Sequence, residues 1–292
     1  MSGRTACRVV LSAVGILLWY GELGRAAEPV VLAGPAMGTT YRVTLAADVP
    51  GLTRGELHQE IEAVLARIDI AASTWRQDSD ASRFNRAAVG EWVEVGVDLA
   101  RIVDLARQVH GDTDGAFDIT VGPLVRLWRE GRTPTDEELL AARSLVGMKL
   151  VESRAAEAGR PAALRKTREG VTIDLGGIGP GYAVDSIGQR LAAIGSPGHL
   201  VELGGEARAW GTAAGGRSWR VAIRGAGGGH GPAVVELAAG EAIAFATRRP
   251  GRSPVEPRTG TPPTGGQGTF MARAESCAVA DALAVARAVT EK

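Results

Sequence analysis

The chain has 292 residues, with 33 basic and 33 acidic side chains and a formal net charge of zero. That length suffices for one large domain or two small ones, with a core that needs no disulfides or metal ions. A balanced charge gives no long-range attraction to nucleic acid, and we expect no nucleic-acid partner. Glycine is abundant, with 40 residues, which fits tight turns around a ligand or a turn-rich structural domain.

The first 26 residues have the pattern of an export signal. Arg4 and Arg8 precede an apolar stretch, residues 9–20, that is too short to span a membrane. Gly24-Arg25-Ala26 then offers small residues at the positions that a signal peptidase needs. We predict cleavage after Ala26 and an exported protein, periplasmic or associated peripherally with the outer side of a membrane. An uncleaved membrane anchor is the alternative. Without the signal, Cys277 is the one remaining cysteine and is expected to pack as a small hydrophobe.

Hydrophobic periodicity predicts strands and helices that interleave without a regular βαβ order. The predicted strands cover residues 30–45 (interrupted at Gly34-Pro35), 171–175, 199–203, 219–224, 233–237, 242–246 and 270–274. The predicted helices begin at Thr53, which forms a capping box with Glu56, and then at residues 97, 135, 182 and 276. Residues 73–86 and 248–268 are predicted loops, and residues 225–232 a hairpin tip. This order favours one α/β (α+β) domain over residues 30–290, with mixed sheets, rather than a doubly wound fold.

A glycine-rich turn carries the first indication of chemistry. Asp174 ends the predicted strand at residues 171–175, and residues 176–181 lead into the next helix. Glycines let the backbone approach a ligand closely, and a helix N-terminus offers N–H groups to an anion. The turn therefore suits a nucleotide's phosphates, although its glycine spacing does not match the dinucleotide fingerprint.

Two charged residues near the C-terminus have two interpretations each. Asp281 lies in an otherwise apolar helix. It either binds Mg²⁺ or, as an aspartate near the N-terminus of that helix, interacts favourably with the helix dipole. Arg258 lies in a turn that begins at Glu256, and it contacts either a phosphate or an acidic neighbour.

These segments occur in a fixed order with several others. The accompanying segments are residues 35–41, 73–75, 82–85, 115–124, 203–206, 211–212 and 219–221. The whole series, from about Pro35 to Val289, resembles the ApbE family of FAD:protein FMN transferases.

The resemblance implies a single α/β domain that holds FAD in a cleft beside Mg²⁺. FMN would pass to a threonine or serine of an acceptor flavoprotein, with release of AMP. The implied FAD-binding positions are Met37, Trp75, Ala116, Phe117, Asp118, Asp174, Pro180 and Val255. The implied metal positions are Gly177 (through its carbonyl), Asp281 and Val285, and the implied catalytic positions are Asp281 and Ser253.

Several of these positions depart from the family pattern. Trp75 replaces a tyrosine and Pro180 a phosphate-contacting lysine. Ser253 replaces a histidine, and Val285 replaces a threonine that helps hold magnesium. Each lost polar group removes up to a few kcal/mol of transition-state stabilisation. Two alternatives to transfer therefore stay open: a non-catalytic flavin-binding protein on the same scaffold, and an FAD pyrophosphatase.

Overall fold

A six-stranded sheet is the centre of the computed structural model, which describes residues 30–129, 132–223, 233–249 and 253–291. The described strands are β1 (Val30–Ala36), β2 (Thr39–Leu45), β3 (Val93–Glu94), β4 (Val151–Arg154), β5 (Ala163–Lys166), β6 (His199–Leu203), β7 (Glu206–Trp210), β8 (Trp219–Ile223), β9 (Ala233–Leu237), β10 (Ala242–Arg248) and β11 (Gly268–Ala274). The large sheet has the order β1-β2-β6-β7-β10-β11. Strands β3-β5-β4 form a smaller sheet, and β8 pairs with β9.

Every described strand pair is antiparallel, which corrects the expectation of mixed sheets. Strands β1 and β2 are joined by a tight turn, as are β6 and β7, and such hairpins must run antiparallel. The fold is a mixed α/β single domain of the α+β type.

Helices cover one face of the large sheet. The described α-helices are α1 (Arg54–Ala72), α2 (Asp80–Arg86), α3 (Val97–Asp112), α4 (Gly122–Arg129), α5 (Asp136–Arg143), α6 (Gly179–Ala193) and α7 (Cys277–Thr290). Helices α1 and α5 begin with complete capping boxes, at Thr53 with Glu56 and at Thr135 with Glu138. Helix α6 packs between α1 and α7, and α7 lies on β10 and β11. Apolar side chains such as Ile61, Ile187 and Val43 are fully buried between these layers.

The β8–β9 hairpin covers the opposite face of the sheet, where Trp219 and Leu237 are buried against Leu200 and Ile243. The predicted hairpin tip at residues 225–232 lies outside the described residues, as does the predicted export signal. None of the helices in the described part of the chain combines the length and apolar character needed to cross a bilayer.

The predicted strand at residues 171–175 is wrong, because this segment joins no sheet. Its backbone groups find other partners. Asn85 bonds both the N–H and the carbonyl of Ile173, and the Asp174 N–H donates to Ile119. Alternating apolar residues indicated a buried extended segment, but periodicity does not reveal whether a neighbouring strand is available.

Other elements also differ from the prediction. Strand β1 continues through Gly34-Pro35, because an edge strand tolerates the N–H that proline lacks. The turn lies instead at Met37-Gly38, where both φ angles are positive. The predicted loop at residues 73–86 contains helix α2, capped by Ser79. Helix α6 begins at Gly179, three residues earlier than expected, because proline is well tolerated in a first helical turn.

Candidate active site

A cleft of about 1000 Å³ opens between the glycine turn, helix α4 and the proline-rich loop after β10. Eight predicted site residues line it: Ala116, Phe117, Asp118, Asp174, Gly177, Ser253, Val255 and Val285. This volume suits a ligand the size of a dinucleotide. The structure therefore brings together residues from four separate stretches of sequence.

Asp118 forms a rigid part of the cleft wall. Its carboxylate accepts hydrogen bonds from the Thr120 N–H at 2.7 Å and the Thr120 hydroxyl at 2.5 Å. Burial raises the pKa of Asp118, although these bonds work in the opposite direction. The His110 Nδ1 lies 3.2 Å from the Asp118 Oδ2 and 3.0 Å from the Phe117 carbonyl oxygen. These contacts fix the orientation of both wall residues.

Asp174 lies where the glycine turn begins. Its Oδ1 accepts the Gly176 N–H at 2.9 Å, and its Oδ2 lies 3.6 Å from the Arg129 Nη2. Arg129 also lines the cleft, and its guanidinium stands 5.9 Å from the centroid of the Trp75 ring. Trp75 is 82% exposed and lies beside the cleft rather than in its wall.

Met37 lies beside the glycine turn and Pro180 belongs to it, and neither residue is part of the cleft wall. The Met37 Cε would be 3.7 Å from a Cβ at Gly179. Pro180 is half-buried in the first turn of α6. The FAD-binding roles of Met37, Trp75 and Pro180, like those of the implied residues that line the cleft, stay predictions.

Asp281 stands behind the glycine turn and contacts it directly. Its Oδ2 accepts the Gly181 N–H at 3.2 Å. Helix α7 is capped by Ser276, and Asp281 lies beyond the first turn of α7. Its carboxylate therefore faces the N-terminus of α6, not that of its own helix. Val285, one turn further along α7, reaches the cleft beside Gly177, where a Cβ would stand 2.8 Å from the Val285 Cγ2.

The electrostatics around Asp281 suit a cation. Burial and the neighbouring Glu206 carboxylate raise the pKa of Asp281 well above its usual range. Burial also raises the pKa of Glu206, to about 7. A divalent cation would offset both effects, and magnesium prefers carboxylate, carbonyl and water oxygens. Within the described ranges no three His, Cys, Asp or Glu side chains form a metal-binding group, so backbone carbonyls and water would complete the coordination.

The loop after β10 forms the remaining wall. The Ser253 hydroxyl donates to the Arg249 carbonyl at 3.0 Å. Glu256 is buried and accepts the Arg258 Nε at 2.6 Å and the Thr259 N–H at 2.8 Å. Burial tends to raise the pKa of Glu256, but these bonds prevail and lower it. Of the two interpretations of Arg258, the acidic neighbour is therefore the one observed.

Sequence reasoning missed the basic lining of the cleft. Among the described residues, four arginines line it: Arg129, Arg132, Arg248 and Arg249. Arg248 has a structural role, because its Nε donates to the Ala288 carbonyl at the C-terminal end of α7. In the sequence these residues are scattered among many other arginines, and no spacing sets them apart.

A cleft that is lined by a glycine turn, arginines and the carboxylates of Asp118 and Asp174 is typical of proteins that bind a phosphate-bearing ligand. The family model for the ApbE family matches residues 37–292. The chain belongs to the ApbE family.

The names of curated relatives are consistent with membership of this family. The chain is 33% identical over 219 residues to a Haemophilus influenzae FAD:protein FMN transferase, covering 72% of this chain and 63% of the relative. It is 37% identical over 220 residues to a Vibrio cholerae FAD:protein FMN transferase, covering 73% of this chain and 64% of the relative. The chain thus spans somewhat less than two thirds of the length of these curated relatives.

Solved structures show the same fold. The flavin transferase ApbE from Vibrio cholerae matches with a TM-score of 0.79 at 33% identity, covering 90% of this chain and 87% of that one. The apo form of the flavinyl transferase ApbE from Pseudomonas stutzeri also matches, with a TM-score of 0.79 at 31% identity. The match covers 90% of this chain and 84% of that one.

Proposed function

We propose that this protein is an FAD:protein FMN transferase that moves FMN from FAD to a threonine or serine of an acceptor flavoprotein. The observation that carries the proposal is the contact between Asp281 and the Gly181 N–H. Through it, a buried carboxylate of α7 meets the glycine turn whose residues Asp174 and Gly177 line the large cleft. The family membership and the names of the relatives support the same activity.

The reaction exchanges the phosphoanhydride bond of FAD for a phosphoester bond to the acceptor. The acceptor hydroxyl oxygen bonds to the phosphorus of the FMN half of FAD, and the bond from that phosphorus to the bridging oxygen breaks. AMP leaves with the bridging oxygen, and the hydroxyl proton passes to solvent. The described cleft lining contains no histidine to accept this proton, because Ser253 occupies the position implied for one.

The residues that would hold Mg²⁺ are Asp281 through its carboxylate and Gly177 through its carbonyl, with Glu206 nearby as a second negative charge. When bound, Mg²⁺ neutralises charge on the diphosphate and on the departing AMP. The Val285 side chain offers no oxygen at the cleft, so water would have to take the place of a hydroxyl ligand there.

The remaining cleft residues bind and orient the ligand. Asp118 and Asp174 are both held by short local hydrogen bonds, which is the preorganisation that binding requires. Arg129 and Arg249 supply the positive charge that Pro180 does not, because both line the cleft. We expect slow transfer, since the proton-accepting and metal-binding side chains at positions 253 and 285 are both replaced.

A non-catalytic flavin-binding role is the second candidate, and the position of Ser253 favours it. Its hydroxyl donates to the Arg249 carbonyl, and the described cleft lining holds no histidine that could activate an acceptor hydroxyl. An FAD pyrophosphatase, with water in place of the acceptor hydroxyl, would use the same metal. We further propose that the protein acts after export, in the periplasm or at the outer side of a membrane, on the pattern of residues 1–26.

Incubation of the purified protein with FAD, Mg²⁺ and an acceptor flavoprotein tests the proposal, with covalent flavin fluorescence on a denaturing gel as the readout. An acceptor whose threonine or serine is replaced by alanine is the control. Labelling of the intact acceptor alone supports transfer. AMP release without labelling would show pyrophosphatase activity instead, and flavin binding without AMP release would show a binding protein.

A further inference from the structure

The segment at residues 171–175 presents a structural problem, because it is buried but belongs to no sheet. Val171, Ile173 and Leu175 are almost completely inaccessible to solvent. Buried backbone N–H and carbonyl groups must be paired, or each costs the free energy of a lost hydrogen bond. The same segment carries Asp174 and leads directly into Gly176 and Gly177, which line the cleft.

The side chain of Asn85 acts as the missing strand neighbour. Its Nδ2 donates to the Ile173 carbonyl at 3.0 Å, and its Oδ1 accepts the Ile173 N–H at 2.7 Å. A primary amide is the one uncharged side-chain group that offers a donor and an acceptor in this arrangement. These two bonds join positions that are 88 residues apart in the sequence.

Lys166 reinforces this connection from the neighbouring sheet. Its ammonium group donates to the Asn85 carbonyl and to the Val171 carbonyl, both at 2.9 Å. The two contacts connect the end of helix α2 to the start of the buried segment. Asn85 is therefore fixed to the segment by its side chain and by its backbone.

Helix α2 is anchored at its other end to the loop that carries Trp75. The Ser82 hydroxyl donates to the Ser73 carbonyl at 3.2 Å, and the Ser79 hydroxyl donates to the same carbonyl. One short helix thus connects the loop beside the cleft to the segment that forms the cleft wall.

We propose that Asn85 is a positioning residue for the nucleotide site: its amide holds the backbone of Ile173, and so sets the place of Asp174 and the glycine turn in the cleft. The proposal rests on the proposed function, because the nucleotide is FAD. Asn85 is absent from the cleft lining, so its effect on FAD passes through the segment it holds.

Titration of FAD into the purified protein, followed by flavin fluorescence, tests the proposal. Asn85→Ala removes both bonds to Ile173, and we expect the Kd for FAD to rise at least about tenfold. Ala81→Gly is the matched control, because it weakens the same helix at a buried position and leaves the amide in place. Its Kd should stay within about twofold of wild type, even where its melting temperature falls as far as that of Asn85→Ala.

Asn85→Asp keeps the acceptor for the Ile173 N–H and loses the donor to the Ile173 carbonyl. It is the variant to use where Asn85→Ala fails to fold, and it should also raise the Kd for FAD. Equal Kd values for wild type and either Asn85 variant would overturn the positioning role of Asn85 and leave the proposed function intact. A rise in Kd for Ala81→Gly that matches its loss of stability would overturn it too, since a general structural effect would then explain the result. Absence of FAD binding by the wild-type protein would instead refute the proposed function.

Discussion

The carboxylate of Asp281 accepts a hydrogen bond from the backbone N–H of Gly181, a residue 100 positions earlier in the chain. The contact is possible because α6 and α7 approach each other without intervening side chains. A Cβ at Gly181 would stand 2.4 Å from the Cys277 carbonyl oxygen. The closeness of these helices places the one buried carboxylate of α7 at the glycine turn.

Gly177→Ala should weaken FAD binding, because the new methyl group would stand 2.8 Å from the Val285 Cγ2 at the cleft surface. The double variant Gly177→Ala/Val285→Ala should recover most of the affinity, since a smaller side chain makes room. Flavin fluorescence titrations of the four proteins in this double-mutant cycle measure the effect.

Gly181→Ala provides the contrasting case. Its clash is with backbone atoms of α7, so trimming Val285 should not relieve it, and its melting temperature should fall further than that of Gly177→Ala. Recovery of Gly181→Ala by Val285→Ala would contradict the helix packing described above.

Ser253→His should raise the rate of FMN transfer at least about tenfold, because a positioned imidazole contributes roughly two to four orders of magnitude as a general base. Ser253 lines the cleft and its hydroxyl donates to the Arg249 carbonyl, so a larger side chain at this position has the cleft beside it. The initial rate of acceptor labelling is the measurement, with Ser253→Ala as control. A histidine variant no faster than the alanine variant would remove position 253 from the chemistry.

His199 should make the protein less stable in mild acid. It is fully buried and stacked on Trp210, and burial lowers its pKa from 6.5 to about 4, against a smaller opposite effect of the Gly188 carbonyl. Between these pH values the unfolded chain binds a proton that the folded chain does not. The free energy of unfolding therefore falls as pH drops from 6.5 towards 4, by about 3 kcal/mol from this group.

Urea unfolding of the wild type and of His199→Gln at several pH values checks this prediction. The variant should lose part of the slope between pH 6.5 and 4, while the carboxylates contribute equally to both proteins. Parallel curves for the two proteins would show that His199 is not the titrating group.

The elements with strong local signals could be predicted from the sequence. The capping boxes at Thr53 and Thr135 mark the starts of α1 and α5, and strands β6 and β9 have the predicted bounds. These signals depend on residues a few positions apart. The sequence alone therefore suffices for them.

The elements that depend on distant partners could not be predicted in the same way. The segment at residues 171–175 has the apolar alternation of a strand, but its partner is the Asn85 amide rather than another strand. The basic lining of the cleft was likewise invisible, because Arg129 and Arg249 come from separate parts of the chain. Eight implied site residues do converge on one cleft, whereas Met37, Trp75 and Pro180 lie outside its wall and Asp281 contacts the glycine turn from behind.

The most direct test of the central claim is the release of AMP from FAD, in the presence of acceptor, by wild type and Asp281→Asn across a range of Mg²⁺ concentrations. The substitution keeps the size of the side chain and an acceptor for the Gly181 N–H, and it removes the negative charge. We predict Mg²⁺-dependent AMP release by the wild type and a loss of about 10²-fold or more in the variant, with no fall in melting temperature. Equal Mg²⁺-dependent rates for the two proteins would contradict the account, because the cation would then bind elsewhere.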